Sequence, residues 1–397
     1  MKLPERFLEL PEYAFPRLRA LLDPLPAGGE PLHMSLGEPK HGFPDFVREV
    51  IAENTAEFGR YPPNDGTPEL RTAISGWLKL RYGVTADPDK HIFPLNGTRE
   101  GLFNAAIALS PEQKNGHKPL ILLPNPFYQC YTVAALTAGA EPRYISATKE
   151  TGFLPDFAAL PEADLNRTSV VYVCSPANPQ GAVADEDYWR KLINLAEKHD
   201  FRIFADECYS EIYRDEPPTG ALEVAQKMNA DPERVLIFHS LSKRSSLPGL
   251  RSGFTAGGPQ TIAALKQLRN YAGAPLPLPL QRAAERLWQD EAHVTSSRDE
   301  YREKFSLADH ILGDMQGYSP PQAGFFLWIR VENGVAVTKQ LWSEKGVRVL
   351  PGEFIARDPG DGLGNPGTQY IRIALVAEIN EIGRGLRDIR ESLRGSR

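Results

Sequence analysis

Between residues 89 and 255 the chain alternates short apolar runs with segments whose apolar positions recur three and four apart. The runs at 120–123, 143–145, 170–174, 201–205 and 235–238 predict strands, and 98–109, 128–137 and 185–199 predict the helices between them. Continuous apolar strands separated by helices indicate a mostly parallel sheet covered on both faces. Ahead of this region, Pro44 can open a helix whose one face carries Phe46, Val47, Val50 and Ile51. Pro68 opens a second helix with the stripe Leu70, Ile74, Trp77 and Leu78, and Gly83 stops it. The first 35 residues carry Pro11, Pro16, Pro24 and Pro26 and read as an arm plus one helix, followed by a loop over 35–41.

Beyond the stiff break Ala274-Pro-Leu-Pro-Leu-Pro279, a long charged helical pattern runs from 281 to about 315. Strands at 325–331, 347–350 and 369–375 then alternate with helices at 336–345 and 379–393, the pattern of a smaller α+β domain. The division predicted is 1–45 as an arm and part of the small domain, 46–285 as the large domain and 286–397 as the small C-terminal domain.

In a sheet of this kind ligands sit beyond the carboxyl ends of the strands. Residue 123 is followed by Pro-Asn-Pro-Phe-Tyr128, Cys174 by Ser-Pro-Ala-Asn178-Pro-Gln-Gly181, Ala205 by Asp206-Glu-Cys-Tyr209, and Phe238 by His-Ser240-Leu-Ser-Lys243. An aromatic, an asparagine, an aspartate with a tyrosine, and a lysine thus face one sheet edge. Pro248 and Gly249 forbid a helix after the lysine and force a loop, and Arg251 follows.

Composition narrows the class without changing this picture. The 397 residues are 41% hydrophobic and 24% charged, with a net charge of −6, so no long-range field attracts nucleic acid or anionic membranes. Met1-Lys-Leu-Pro-Glu-Arg lacks the apolar core of a signal peptide, and no apolar run is long enough for a membrane helix. Three scattered cysteines form no disulfide framework, and eight histidines show no metal-ligand spacing. Cytoplasm is the expected location.

A lysine is nucleophilic only when neutral, which needs desolvation or a nearby positive charge; Arg244 and Arg251 flank Lys243. A neutral lysine can form a Schiff base, Asp206 can pair with a protonated ring nitrogen, and Asn178 and Tyr209 can hydrogen-bond a phenolate oxygen. Tyr128 can stack on a flat ring. Gly97-Thr98-Arg99 opens a helix, where backbone N–H groups suit a phosphate that Arg251 and Ser240 could clasp. Aldehyde, ring nitrogen, phenolate and phosphate are the four handles of pyridoxal 5′-phosphate.

These motifs, with Tyr61, Gly66, Leu70-Arg71 and Tyr370-Ile-Arg372-Ile, resemble those of the class I/II (fold-type I) aminotransferases over nearly the whole chain. The resemblance implies a large domain built on a mostly parallel seven-stranded sheet, a smaller α+β domain, bound pyridoxal 5′-phosphate and a homodimer with shared active sites. It implies Lys243 as the Schiff-base lysine and proton carrier, with Asp206 on the ring nitrogen and Asn178 and Tyr209 on the ring oxygen. Tyr128 would stack on the ring. Gly97, Thr98, Arg99, Ser240 and Arg251 would hold the phosphate, with Tyr61 coming from the second subunit. Arg372 would grip the substrate α-carboxylate, helped by Asn178 and the Gly37 backbone.

The stretches Gly37-Glu-Pro-Lys-His41, Pro-Glu-Leu-Arg71 leading to Trp77, Pro-Asn-Pro-Phe-Tyr-Gln129 and Ser-Lys243-Arg-Ser-Ser-Leu-Pro-Gly-Leu-Arg-Ser-Gly253 resemble the bacterial succinyldiaminopimelate aminotransferases of lysine biosynthesis. Those pass an amino group between glutamate and N-succinyl-2-amino-6-oxopimelate. The chain departs from them at Tyr271-Ala-Gly-Ala-Pro-Leu-Pro-Leu-Pro279. An aspartate or aromatic aminotransferase, or a carbon–sulfur lyase, would use the same cofactor set. A DNA-binding regulator on this fold would carry a basic helix-turn-helix ahead of it, and a Schiff-base aldolase has no use for Asp206 or the phosphate loop.

Overall fold

A computed structural model describes residues 5–8 and 10–394 of the chain. Its main sheet has seven strands: β2 (Ile92–Leu95), β3 (Leu120–Asn125), β4 (Glu141–Ser146), β5 (Thr168–Cys174), β6 (Arg202–Asp206), β7 (Val235–Ser240) and β8 (Gly253–Ala256). They lie in the order β2-β8-β7-β6-β5-β3-β4, with β8 antiparallel to both its neighbours and every other pair parallel. β5 shows why the continuous apolar runs read as central strands: each of its residues is buried, because helices cover both faces. One face packs on Trp77, Trp189 and Trp288, the other on Leu102, Tyr131 and Ile262.

The covering helices begin and end where local chemistry dictates. Pro68–Tyr82 starts with proline at its first turn, while the Thr67 side chain accepts from the Leu70 N–H at 3.3 Å. Gly83 closes it at φ 67°, a left-handed conformation that costs glycine little. Glu186–His199 starts at Asp185, whose carboxylate accepts from Tyr188 N–H at 2.8 Å.

A second body gathers around the three-stranded antiparallel sheet of β9 (Phe326–Arg330), β11 (Leu350–Pro351) and β12 (Tyr370–Ala374). Helices Ala292–Leu312, Gly334–Lys345 and Ile379–Arg394 pack on it. The N-terminal segment joins this body. β1 (Leu32–His33) pairs in parallel with β10 (Val347–Arg348), and helix Ala14–Leu22 buries Ala14, Leu18 and Leu22 beside Trp328 and Trp342. Among the described residues no helix is long and apolar enough to cross a membrane.

Three sequence expectations need correction. The helix expected from 281 to about 315 is two helices, Leu278–Gln289 and Ala292–Leu312, because Asp290 leaves the helix and its carboxylate accepts the His293 N–H at 3.1 Å. The strand expected at 347–350 divides between two sheets, β10 with β1 and β11 with β12. Finally, the segment after β7 is not all loop. Ser240 accepts from Ser242 N–H at 3.1 Å and starts one helical turn, Leu241–Arg244, and Pro248–Leu250 makes a 3-10 turn with proline in its tolerated first position. We propose residues 290 and 291, between the two helices, as the place where the large domain gives way to the small one.

Arg244, which has no clear place in the sequence reading, is a buried strut. Its Nη1 donates to Leu287 O at 2.7 Å and its Nη2 to Asp290 O at 3.2 Å, with the Glu291 carboxylate as its ion-pair partner. The guanidinium lies 5.0 Å from the centre of the Trp288 ring and 5.6 Å from that of Trp77. Replacing it by alanine strands those helix-end carbonyls and leaves a carboxylate unpaired. Arg244→Ala is expected to cost about 3 kcal/mol in urea unfolding, with Arg244→Lys recovering only part because an ammonium cannot reproduce the fork.

Candidate active site

The carboxyl ends of β3, β5, β6 and β7 open on one cavity of about 330 Å³, large enough for a cofactor-sized ligand. Every site residue expected from the sequence lines it except Gly97, which lies just behind the wall, and Tyr61, which stands fully exposed. Residues from the second body close it: Gly37, Phe326, Leu350 and Arg372.

Lys243 projects into the cavity from its helical turn. Its Nζ donates to Gly37 O at 2.5 Å and lies 5.2 Å from the centre of the Phe325 ring. Burial in this setting lowers its pKa from 10.5 to about 8, and the charges of Arg372 and Arg251 add to the shift. Arg244, which flanks it in sequence, is turned to the opposite side. The amine is therefore partly neutral near neutral pH, as a nucleophile or base requires.

Asp206 ends β6 as a buried carboxylate. Its Oδ2 accepts from the Tyr131 hydroxyl at 2.6 Å and its Oδ1 from the Cys208 N–H at 3.3 Å. Burial pushes its pKa up, and these two hydrogen bonds pull against that by favouring the charged form. A cationic partner inside the cavity would complete the balance.

Asn178, from the segment after β5, joins two other expected residues. Its Nδ2 lies 3.5 Å from the Tyr209 hydroxyl, and its Oδ1 accepts from Arg372 Nη1 at 3.0 Å. Arg372 also donates from Nη2 to Ser35 O at 2.8 Å, and its guanidinium lies over the Phe326 ring, 4.2 Å from the centre. Among the described residues its buried Nε has no hydrogen-bond partner. Burial lowers its pKa to about 10. A fork held on a rigid strand with an unmet donor is suited to a carboxylate.

The far end of the cavity has the features of an anion cradle. Gly97 sits at φ 78° at the start of helix Thr98–Leu109, whose first N–H groups have no partners within the helix. A Cβ on Gly97 would fall 2.2 Å from Arg251 Nη2, so only glycine leaves room for that guanidinium. Arg251 adopts φ 57° and is held by Pro248 O at 2.9 Å and Asn96 O at 3.3 Å. Thr98 Oγ1 lies 3.1 Å from Cys208 Sγ, and Ser240 Oγ 3.4 Å from Ser252 O. Tyr128 turns its hydroxyl to Arg99 Nε at 2.5 Å, which fixes its ring on the cavity wall. The divergent stretch at 271–279 lies against this end, where Asn96 Nδ2 donates to Ala274 O.

These groups fit pyridoxal 5′-phosphate. A partly neutral amine, a buried carboxylate, a phenol with an amide and an anion cradle match its aldehyde, ring nitrogen, ring oxygen and phosphate. Sequence reasoning missed Tyr131, Cys208 and Phe325. Tyr131 stands three residues beyond Tyr128, the spacing that puts both on one side of a helix, and this was its only visible signal.

Two measurements follow. In cofactor-free protein, acetylation of Lys243 followed by mass spectrometry is expected to reach half its maximum near pH 8, where exposed lysines need about pH 10.4. A midpoint equal to that of the exposed lysines would mean the amine is hydrated. Gly97→Ala is expected to weaken pyridoxal 5′-phosphate binding at least about tenfold, since the Arg251 guanidinium must shift; the change should show in fluorescence titration of cofactor-free protein.

Comparison with known proteins bears on the same point. The family model of class I and II aminotransferases matches residues 30–382. An LL-diaminopimelate aminotransferase from Dehalococcoides mccartyi is 30% identical over 400 residues, covering 97% of each chain. The crystal structure of an aminotransferase from Neisseria meningitidis superposes with a TM-score of 0.94 at 39% identity, over 99% of this chain and 100% of that one. A probable N-succinyldiaminopimelate aminotransferase from Thermus thermophilus superposes at 0.83 with 25% identity, over 96% of this chain and 100% of the other. The chain belongs to the class I and II aminotransferases, enzymes that depend on pyridoxal 5′-phosphate.

Proposed function

We propose that this aminotransferase exchanges an amino group between glutamate and N-succinyl-2-amino-6-oxopimelate, a step of lysine biosynthesis. The observation that carries this reading is the wall of the cavity outside Lys243 and Arg372. Tyr13, Phe15, Leu36, Phe153 and Ile355 line it, an apolar surface suited to the aliphatic chain of a pimelate rather than to the short side chain of aspartate. The stretches around Gly37, Tyr128 and Lys243 and the likeness to the Thermus thermophilus structure support it further.

A second reading takes free L,L-diaminopimelate as the substrate. The relative from Dehalococcoides mccartyi favours it, as does the exposed Glu38 carboxylate on the cavity wall, which suits a distal ammonium group.

Bound pyridoxal 5′-phosphate supplies an aldehyde that captures amines covalently and a conjugated ring that accepts electrons from the substrate carbon. Asp206 would hold the ring nitrogen protonated, with Tyr131 keeping the carboxylate charged and in place. Asn178 and Tyr209 would hold the ring oxygen, and Tyr128 would cover the ring. Gly97, Thr98, Arg99, Ser240 and Arg251 would bind the phosphate. Tyr61, exposed on this chain, would reach the phosphate in a second subunit, which makes a homodimer part of the proposal. Arg372 would grip the α-carboxylate beside Asn178 and Gly37 and so present the Cα proton to Lys243. The Lys243 Nζ would then take that proton and return it.

The test is a substrate panel. With 2-oxoglutarate as acceptor, kcat/KM is expected to be highest for N-succinyl-L,L-diaminopimelate. A higher value for free diaminopimelate selects the second reading, and one for aspartate or phenylalanine overturns both. Release of pyruvate and ammonia from a cysteine-like substrate would indicate a lyase. Lys243→Ala should lower kcat by about 10²–10⁴-fold or more. Arg372→Ala should raise KM for every amino and oxo acid by about 10–100-fold, the value of a charge-assisted carboxylate contact.

A further inference from the structure

The turn that carries Lys243 is closed by Ser245, whose N–H donates to Leu241 O at 3.0 Å. Ser245 is buried, and its Oγ lies 2.8 Å from Nε2 of His293. On the other side of that ring, Nδ1 lies 2.5 Å from Oδ2 of Asp290, which also accepts the His293 N–H. A carboxylate on Nδ1 fixes the tautomer: Nδ1–H donates to Asp290, and Nε2 accepts the Ser245 hydroxyl. Burial lowers the His293 pKa, and the neighbouring Arg244 charge adds to this, so the ring is kept in the neutral form that can accept. The other groups around this chain are the edge of Phe46, 6.3 Å from the imidazole between ring centres, and Arg286, whose charge acts on Asp290.

The order serine, histidine, aspartate is that of a hydrolase triad, but hydrolysis does not follow. Ser245 is 2% exposed and does not line the cavity, so no substrate reaches its hydroxyl. What the chain of bonds joins is more informative. Asp290 and Glu291 are the junction between helix Leu278–Gln289, which packs on the large sheet, and helix Ala292–Leu312, which belongs to the second body. Arg244 reaches the same junction through Leu287 O and Asp290 O. The two residues that follow Lys243 in sequence are thus both fastened to the hinge between the two bodies.

We propose that Asp290, His293 and Ser245 form a positioning relay for Lys243, tying the lysine-bearing turn to the junction so that the place of the amine follows the placement of the small domain. None of the three touches the cavity, so they act through the turn. The proposal rests on Lys243 being the reactive amine.

The test uses the full-length holoenzyme and the variants Ser245→Ala, Asp290→Asn and His293→Gln, with folding checked by circular dichroism. Two readouts are followed: the split between kcat and KM, and the pH midpoint of the visible absorption change that Lys243→Ala abolishes. Ser245→Ala and Asp290→Asn are expected to lower kcat about tenfold with KM essentially unchanged, the signature of a misplaced group rather than a lost binding contact. The absorption midpoint should move by about one pH unit. His293→Gln, whose amide can still meet the serine hydroxyl, should recover most of both. A folded Ser245→Ala enzyme with wild-type kcat and midpoint overturns the relay. If that variant does not fold, unchanged values in Asp290→Asn, at the more exposed end of the chain, overturn it equally. Failure of the cofactor reading shows separately, as a wild-type absorption band that Lys243→Ala leaves intact, and it removes the relay with it.

Discussion

An ammonium group is strongly hydrated, and taking its water away is what favours the neutral form of Lys243. Burial beneath groups that include the Phe325 ring and the Gly37 segment lowers its pKa to about 8, and the charges of Arg372 and Arg251 add to the shift. None of those groups comes from the turn that carries the lysine, apart from Arg251 shortly after it. Gly37 lies in the N-terminal segment, Phe325 just before β9 and Arg372 on β12. The chemical state of one side chain thus depends on residues from the N-terminal segment and from the body around β9 and β12. That dependence explains why Gly37 is a glycine: a Cβ there would fall 2.4 Å from the Phe326 ring and push the segment off the lysine.

The large sheet solves the opposite problem, bringing several polar groups to one place without leaving them unpaired. Parallel strands end side by side, so Asn125, Cys174, Asp206 and Ser240 mark one edge, and the residues just beyond them meet. The reversed strand β8 lets the chain return past that edge and sets Arg251 against Gly97. Two buried charged groups that line the cavity are each partly satisfied, Asp206 by Tyr131 and Cys208, Arg372 by Asn178 and Ser35. Arg372 keeps capacity for a ligand, since its Nε has no partner among the described residues.

Much of this was legible in the sequence, and for a physical reason. Buried central strands must be continuously apolar, so β3, β5, β6 and β7 announced themselves, and the residues after them could be read off in order. β2 and β8 were not visible because Pro94 stands inside one and Gly253 opens the other, residues that ordinarily signal a break. The break at Asp290 was hidden because charged residues on both sides keep the helical pattern running. Tyr131 and Phe325 were missed since their roles depend on contacts across 75 and 82 positions of chain, as the bond from Tyr131 to Asp206 and the ring of Phe325 beside Lys243 show. Arg244 was ambiguous for the same reason: only the folded chain shows that it points away from the cavity and towards Leu287, Asp290 and Glu291.

Lys243, and no other lysine, is proposed as the amine that meets the cofactor. Borohydride reduction of the yellow holoenzyme, followed by digestion and mass spectrometry, tests it directly. A single pyridoxyl-phosphate adduct on the peptide containing Lys243 is expected, formed in proportion to the loss of the visible band. An adduct on another lysine, or loss of the band with Lys243 unmodified, would contradict it.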